Sequence, residues 1–307
     1  MRNTFIEALC NEAKVNPKIM LMTGDLGFGV LDNYIREFPN QFLNCGVTEQ
    51  SMMSVAAGYA SMGYQVFVYS IGNFPTLRCL EQIRNDICYM NNPVVVVSVG
   101  AGFSYGAQGY SHHAIEEVSA MRALPNIDIC VPADSYEVKA ISNFIFQSRK
   151  PAYLRLGKGN EPTLHSQDLE VVRGKAIPLE HGRDGTILFN GAVGDICLAA
   201  KINLQLYGYD LSVMSIPILN DLEEGQLRSI AEKGPILVVE EHTTKGGLGS
   251  EVLEKLSEFE LQHRTKLIGT NPDFIKRLGS QMYLRNLHEI SISRITTTFL
   301  SLAERLS

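Results

Sequence analysis

The sequence predicts an α/β protein made of two open, mainly parallel sheets covered by helices, and three observations carry that prediction. Short, near-continuous apolar runs such as VVVVSV (94–99) and PILVVE (235–240) alternate with helical patterns, as strands buried on both faces of a parallel sheet require. The alternation fades across a stretch of weak periodicity and then restarts. A chain of 307 residues also suits two cores of middling size better than one.

In chain order, the first half opens with a helix near 2–15 and a strand at 19–23 (IMLMT), then a helix from about 31. A helix near 49–62 follows, then a strand at 66–69 (VFVY), a helix over 74–90 and the strand at 94–99. A strand at 127–131 (IDICV), a helix from 135 and a strand at 152–156 complete the half. Residues 157–185 show little periodicity, so the first domain is expected over 1–164, a linker over 165–185 and the second domain over 186–307. In the second domain the pattern predicts strands at 186–190, 211–215 and 235–240. Helices are expected near 194–207, 223–232 and from 249, the last after the Gly-rich turn KGGLG.

Composition narrows the function. A net charge of −6 and a pI near 5.7, with no lysine- or arginine-rich run, leave no footprint for nucleic acid or an anionic membrane surface. No apolar stretch is long enough to span a bilayer, and MRNTFIEALCNEAK reads as an amphipathic helix carrying acidic residues, without the apolar core and cleavage site expected of a leader peptide. The six cysteines are scattered without metal or redox spacing and are expected to be reduced and mostly buried, so a cytoplasmic protein is expected.

Four segments carry chemistry. In NCGVTEQSMMSVAAGYASMG (44–63), Glu49 stands in the first turn of a thin helix. Thr48 is expected to cap that helix with its hydroxyl, and the dipole favours a carboxylate there, which by itself explains Glu49. The small residues Ser51, Ala56, Ala57, Gly58, Ala60 and Gly63 suit close approach by a ligand or another chain. Phe74 follows a parallel strand, where open α/β sheets bind ligands, and offers a flat stacking surface; a core phenylalanine is the simpler alternative. The segment SVGAGFSYGAQGYSHHAIEE (98–117) reads as a ligand loop, with one of His112 and His113 able to exchange protons and the other, His113 the plainer candidate, merely solvated. AYLRLGKGNEP (152–162) places Arg155 and Lys158 at a strand end, as anion ligands or as a solvated pair.

Taken together, GDLG (24–27), GVTEQ (46–50), a strand into an aromatic, GAQGYSHH (106–113), MRALPNI, PAD and LRLGKG resemble the pyrimidine-binding domain of transketolase-like thiamine diphosphate enzymes. GAVGDICLAA, VMSIPILNDL and VVEEHTTKGGLG are similar to the C-terminal domain of the same family, so the resemblance covers nearly the whole chain. It implies that Glu49 hydrogen-bonds the cofactor's aminopyrimidine ring at N1′, drives its imino tautomer and so activates the thiazolium carbon. A carboxyl held in an apolar site favours its protonated form. The resemblance further implies that Phe74 stacks on the pyrimidine, that Asp25 lies near the cofactor's middle, and that His112 contacts the sugar oxygens and shuttles protons. Lys158 falls where transketolases hold the sugar phosphate with an arginine, and Arg2 matches a second such arginine.

Two departures shape the expectation. Gln108 occupies the position, four residues before His112, where the family carries an aspartate that reads sugar stereochemistry, so the substrate pair differs from the ordinary pentose phosphates. The GDG…Asn motif for magnesium and diphosphate is absent, since GDLG does not supply it. The resemblance therefore implies the second subunit of a split transketolase, working with an N-terminal subunit that binds Mg2+ and the diphosphate, in an α2β2 assembly. The thin helix is then expected at the subunit interface. The expected reaction is transfer of a two-carbon ketol unit from a ketose to an aldose. Two alternatives stand beside it: decarboxylation of a 2-oxo acid, as in deoxyxylulose phosphate synthases or 2-oxo acid dehydrogenase beta subunits, and a supporting subunit without catalysis.

Overall fold

The computed structural model describes residues 1–270 and 273–303. Its first sheet comprises β1 (Ile19–Thr23), β2 (Phe42–Asn44), β3 (Gln65–Ile71), β4 (Val94–Val99), β5 (Asp128–Cys130) and β6 (Ala152–Leu156). They run parallel in the order β2-β1-β3-β4-β6-β5. The second sheet comprises β7 (Ile177–Glu180), β8 (Thr186–Phe189), β9 (Ser212–Ser215), β10 (Ile236–Thr243) and β11 (Thr265–Thr270). Their order is β11-β10-β8-β9-β7, with β7 the antiparallel edge. The architecture is the two-sheet α/β arrangement the sequence predicts.

The apolar runs are buried end to end, Val94 to Val99 included, because helices cover both sheet faces. The helix Arg2–Val15 buries Phe5, Ile6, Leu9 and Ala13 on one face, and the helix Glu49–Ser61 buries Met52, Met53, Ala56, Ala57 and Ala60 on the other. Each fully buried methionine there contributes roughly 1.5–3 kcal/mol. The helix Ser135–Ser148 begins at Asp134, whose carboxylate accepts from the Tyr136 and Glu137 backbone N–H groups, and ends at left-handed Arg149.

Several local expectations change. Residues 74–90 do not form one helix: a tight turn at Leu77–Cys79 leads into an α-turn at Leu80–Gln82 and a π-helical segment at Ile83–Tyr89. Ser54 Oγ donates to Asp86 within that segment at 2.9 Å, tying it to the helix Glu49–Ser61. Strand β2 is too short and half-buried to show as an apolar run, and β7 lies inside the stretch read as linker because its burial alternates as an edge strand's does. Thr48 does not cap its helix; its hydroxyl donates instead to the Cys45 carbonyl at 2.7 Å.

The two domains are joined through backbone and side chains alike. Val131 N–H donates to the Pro217 carbonyl at 2.8 Å, Leu219 N–H to Ile129 at 2.9 Å and Thr243 N–H to Ile115 at 2.8 Å. No helix among the described residues is long and apolar enough to cross a membrane. All six cysteines are free thiols, four of them buried.

Candidate active site

Strand order dictates where a ligand fits. The chain leaves β1 toward β2 on one side and returns to β3 on the other, so loops diverge at the carboxyl ends of β1 and β3 and open a crevice. Asp25 follows β1, Glu49 follows β2 and Phe74 follows β3, all at this edge. The loop carrying His112 follows β4, and Lys158 follows β6.

Glu49 is 4% exposed, yet it is not the lone carboxyl in an apolar pocket that the sequence suggests. Arg78 Nη1 donates to its Oε2 at 2.8 Å, and the same guanidinium lies 4.7 Å from the centre of the Phe74 ring. Phe74 in turn meets the His112 ring edge-on, with centroids 5.2 Å apart. His112 also lies 6.3 Å from Tyr105, whose ring carries the Lys158 ammonium at 5.0 Å. An unbroken arc from Glu49 to Lys158 results. Arg2 approaches its far end, beside Tyr69 and Tyr105, and lines a cavity of about 420 Å³ with Met1, Asn3, Lys158, Gly159 and Asn160.

Asp25 stands one step behind. Its left-handed backbone (φ 57°) is held by Asn44, which accepts from the Asp25 N–H at 3.0 Å and donates to its carboxylate at 3.1 Å. Gly24 beside it faces Glu49, where an added Cβ would meet the Glu49 side chain at 3.9 Å. Gln108 is exposed on the short turn Gly106–Gln108 ahead of His112.

The adjacent histidines divide the work. His113 is fully buried, its Nε2 pairs with the Gly106 carbonyl at 3.1 Å, and burial pushes its pKa below the ordinary range. It holds the loop. His112 is part-exposed, pairs with Ser111 Oγ at 3.1 Å and faces the crevice residues just described.

Arg155 corrects an expectation. Read beside Lys158 as a possible anion ligand, it is instead 3% exposed and bonded to Glu117 at 2.6 Å, to the Ala114 carbonyl at 2.6 Å and to the Glu241 carbonyl at 3.0 Å. Burial alone would raise the Glu117 carboxyl, but Arg155 beside it more than offsets that and the net shift is downward. Strand residues point alternately to opposite faces, and nothing in LRLGKG reveals that the partner of Arg155 lies thirty-eight residues upstream.

Glu241 from β10 is a second residue the sequence reading missed. Its Oε1 accepts from the Phe103 N–H at 2.8 Å, and Gln281 and Arg285 donate to its carboxylate at 3.0 and 2.9 Å. The second domain thus grips the histidine loop. Two glycines make the grip possible: a Cβ on Gly102 (φ +60°) would sit 2.5 Å from the Glu241 carboxyl carbon, and one on Gly100 (φ +94°) would sit 2.2 Å from the Tyr105 ring. Arg78 was missed as well, although its place four residues after Phe74 at the same loop is visible in the sequence.

The donor set sorts what this chain can hold. A buried carboxylate next to an aromatic face suits a planar ring that offers nitrogen donors and acceptors. Among the described residues no group of three or more His, Cys, Asp or Glu side chains could hold a metal ion.

Fold and rim together define a two-domain α/β protein with a buried carboxylate, an aromatic face and a part-exposed histidine gathered at the carboxyl edge of its first sheet. The chain matches the pyrimidine binding domain of transketolase over residues 1–163 and the C-terminal domain of transketolase over residues 174–294. It is 33% identical over 260 residues to a subunit of the apulose-4-phosphate transketolase of Phocaeicola vulgatus, covering 84% of this chain and 83% of that protein. A solved split-gene transketolase, described as an inactive beta4 tetramer, superposes with a TM-score of 0.88 at 30% identity, covering 99% of this chain and 97% of that one. A 1-deoxy-D-xylulose-5-phosphate synthase of Desulfitobacterium hafniense is 32% identical over 286 residues, but there the match covers 91% of this chain and only 43% of that enzyme.

The chain belongs to the transketolase family of thiamine diphosphate-dependent transferases. Within it, the chain carries the pyrimidine-binding and C-terminal domains and aligns over most of its length with proteins described as a transketolase subunit and a split-gene transketolase.

Proposed function

We propose that this subunit, joined to a partner carrying the magnesium and diphosphate site, transfers a two-carbon ketol unit from a ketose to an aldose in the cytoplasm. The observation that carries the reading is the arc at the sheet edge: a buried carboxylate, an aromatic face, a part-exposed histidine and a cation in continuous contact. Thiamine diphosphate, when bound, supplies the nucleophilic carbon that lets the bond between C2 and C3 of the donor break.

Glu49 holds the ring nitrogen N1′ of the aminopyrimidine, and Phe74 fixes the plane of that ring. Asp25, set by Asn44, borders the cofactor's middle. His112 takes and returns protons at the hydroxyl and carbonyl oxygens of the sugar, with Ser111 fixing its Nδ1. Lys158 and Arg2, on the walls of the 420 Å³ cavity, hold an anionic group at the far end of the substrate. Gln108 reads the sugar hydroxyls in place of an aspartate, with a neutral amide that both donates and accepts.

The partner docks on the outer face of the helix Glu49–Ser61. Ala56 and Ala57 pack inward on the core, so the room left for a second chain is at Gly58, where an added Cβ would meet nothing within 4 Å. Val47, Val55, Met62, Tyr89 and Met90 lie exposed on and beside this helix. An α2β2 assembly with closed symmetry follows from two such faces.

Mixing the chain with its partner and assaying two-carbon transfer between a ketose and an aldose tests the reading. Transfer that requires both chains and thiamine diphosphate supports it. Carbon dioxide released from pyruvate by the same mixture, without ketol transfer, would replace it with the decarboxylating chemistry, a reading the synthase relative keeps open. No cofactor binding at all would leave a supporting subunit.

A further inference from the structure

The contact between Arg78 and Glu49 has chemistry of its own. A guanidinium is flat, donates N–H groups to a carboxylate in its own plane and stacks on aromatic faces. Arg78 does both at once: Nη1 meets Glu49 Oε2 at 2.8 Å, and the guanidinium carbon lies 4.7 Å from the centre of the Phe74 ring. Those are the two contacts that the proposed function gives to the aminopyrimidine, a flat, nitrogen-bearing ring. One side chain of this protein fills both.

The pair is unequal. Glu49 is 4% exposed at its side chain, whereas Arg78 is 48% exposed. The carboxylate is fixed in the wall and the guanidinium reaches in from solvent. Backbone restraints hold the base of Arg78 and leave its tip unconstrained: Gln50 Nε2 donates to the Arg78 carbonyl at 3.1 Å, and residue 78 sits in the tight turn Leu77–Cys79. The side chain can therefore leave by rotating about its own bonds, without moving the loop. Its departure would expose a buried carboxylate that has no other hydrogen-bond donor among the described contacts, unless an incoming ligand replaces it.

We propose that Arg78 is a displaceable placeholder: in the free subunit its guanidinium occupies the seat of the cofactor's pyrimidine ring, and binding of the cofactor between the two subunits expels it. This rests on the reading of Glu49 and Phe74 as the pyrimidine seat. It adds that the seat is closed, and its carboxylate satisfied, until both partner and cofactor arrive. The placeholder lowers cofactor affinity by the strength of two contacts that must be broken first.

The test measures the dissociation constant of thiamine diphosphate, by calorimetry in saturating Mg2+, for the subunit mixed with its partner. Arg78→Met removes both polar contacts at similar length, and the constant is expected to fall about 5- to 10-fold, the combined weight of a part-exposed ion pair and a cation–π contact. Arg78→Lys keeps the charge but loses the flat stacking group, and its constant is expected to fall between those of Arg78→Met and the unmodified protein. In a Glu49→Gln background the effect of Arg78→Met shrinks, because the contact it removes is already weakened. An unchanged or weaker affinity in Arg78→Met overturns the proposal, the weaker case meaning that Arg78 stays and helps to hold the ring. Glu49→Gln alone separates the two readings. If it weakens cofactor binding while Arg78→Met does not tighten it, the seat stands and the placeholder falls; if Glu49→Gln leaves binding unchanged, the seat itself is misassigned.

Discussion

Two carboxylate–guanidinium pairs in this molecule look alike in bond length and differ in everything else. Arg78 meets Glu49 at 2.8 Å from a half-exposed position and makes that one side-chain hydrogen bond. Arg155 meets Glu117 at 2.6 Å where both are buried, and it also serves two carbonyls, one of them from the second domain, while Tyr153 adds a further bond to Glu117 at 3.0 Å. An isolated pair open to water is worth little and is easily exchanged. A pair sealed from water is costly to break, because either partner left alone is a buried charge. The first lies on the surface proposed to change partners, the second in a frame that joins the two domains.

Removing the exchangeable carboxylate tests function rather than fold. Glu49→Gln is expected to lower two-carbon transfer by the assembled enzyme about 10²- to 10⁴-fold, while the unfolding free energy of the free subunit shifts by no more than about 1 kcal/mol. Steady-state rates and urea titration on the same preparation give both numbers. A rate within a few-fold of the unmodified enzyme would remove Glu49 from the chemistry.

Breaking the sealed pair should do the reverse. Glu117→Ala leaves Arg155 uncompensated and is expected to cost about 3–5 kcal/mol of stability, a large share of the roughly 5–15 kcal/mol that a folded protein has. Urea titration reads it directly. A loss below about 1 kcal/mol would mean that water reaches Arg155, and the distinction between the two pairs would collapse.

The same contrast explains what the sequence discloses. Strands, most helices and much of the rim are legible because each depends on local pattern: apolar runs for β1, β3, β4 and β6, and loop positions after strands for Phe74, His112 and Lys158, whereas Asp25 enters only through the family resemblance. What holds the rim in place is not local. Glu241 reaches Phe103 across 138 residues, and Glu117 reaches Arg155 across 38. No periodicity encodes such pairings, and a glutamate or arginine inside an apolar run reads as an anomaly until its partner is seen. Gly100 and Gly102 carry a trace of the second kind, since only glycine leaves space for Tyr105 and Glu241 there. The π-helical segment Ile83–Tyr89 was hidden for another reason: nothing in its sequence separates π from α spacing, and hydrogen bonding alone decides which forms.

A third cluster shows what a buried carboxyl does without a guanidinium. Glu137 is fully buried, and burial lifts its pKa from 4.5 to about 7. Burial would also raise Asp134, but the His165 ring and the backbone N–H groups of Glu137, His165 and Leu164 more than offset that and hold it at about 2. His165, which burial would lower, is raised by Asp134 and Glu137. Between pH 4.5 and 7 the folded Glu137 keeps a proton that the unfolded chain has released. Its contribution to stability therefore falls as pH rises through that window, by at most about 3 kcal/mol. His165 acts in the same direction, losing its contribution as pH rises through its folded value. Asp134 acts oppositely, contributing above its ordinary 3.8 and losing that contribution as pH falls toward 2. Glu137→Gln should flatten the decline in urea midpoint between pH 5 and 7; an unchanged slope would place the titration elsewhere.

Lys158 completes the series as a rim cation with no carboxylate salt-bridge partner among the described ones, held over Tyr105 at 5.0 Å. A cation so placed is free to meet an anion that arrives with the substrate, and it stays well solvated meanwhile. Its removal should act on binding and leave the chemical step alone. Lys158→Ala is expected to raise KM about 5- to 10-fold for a phosphorylated sugar, the scale of one part-exposed charge-assisted contact, with kcat within about twofold. The KM of an unphosphorylated sugar should not move, and added salt should weaken the phosphorylated substrate alone. An equal rise for both sugars would show that Lys158 shapes the loop after β6 rather than holding an anion. The anion would then rest on Arg2 alone of the two cations proposed for the 420 Å³ cavity.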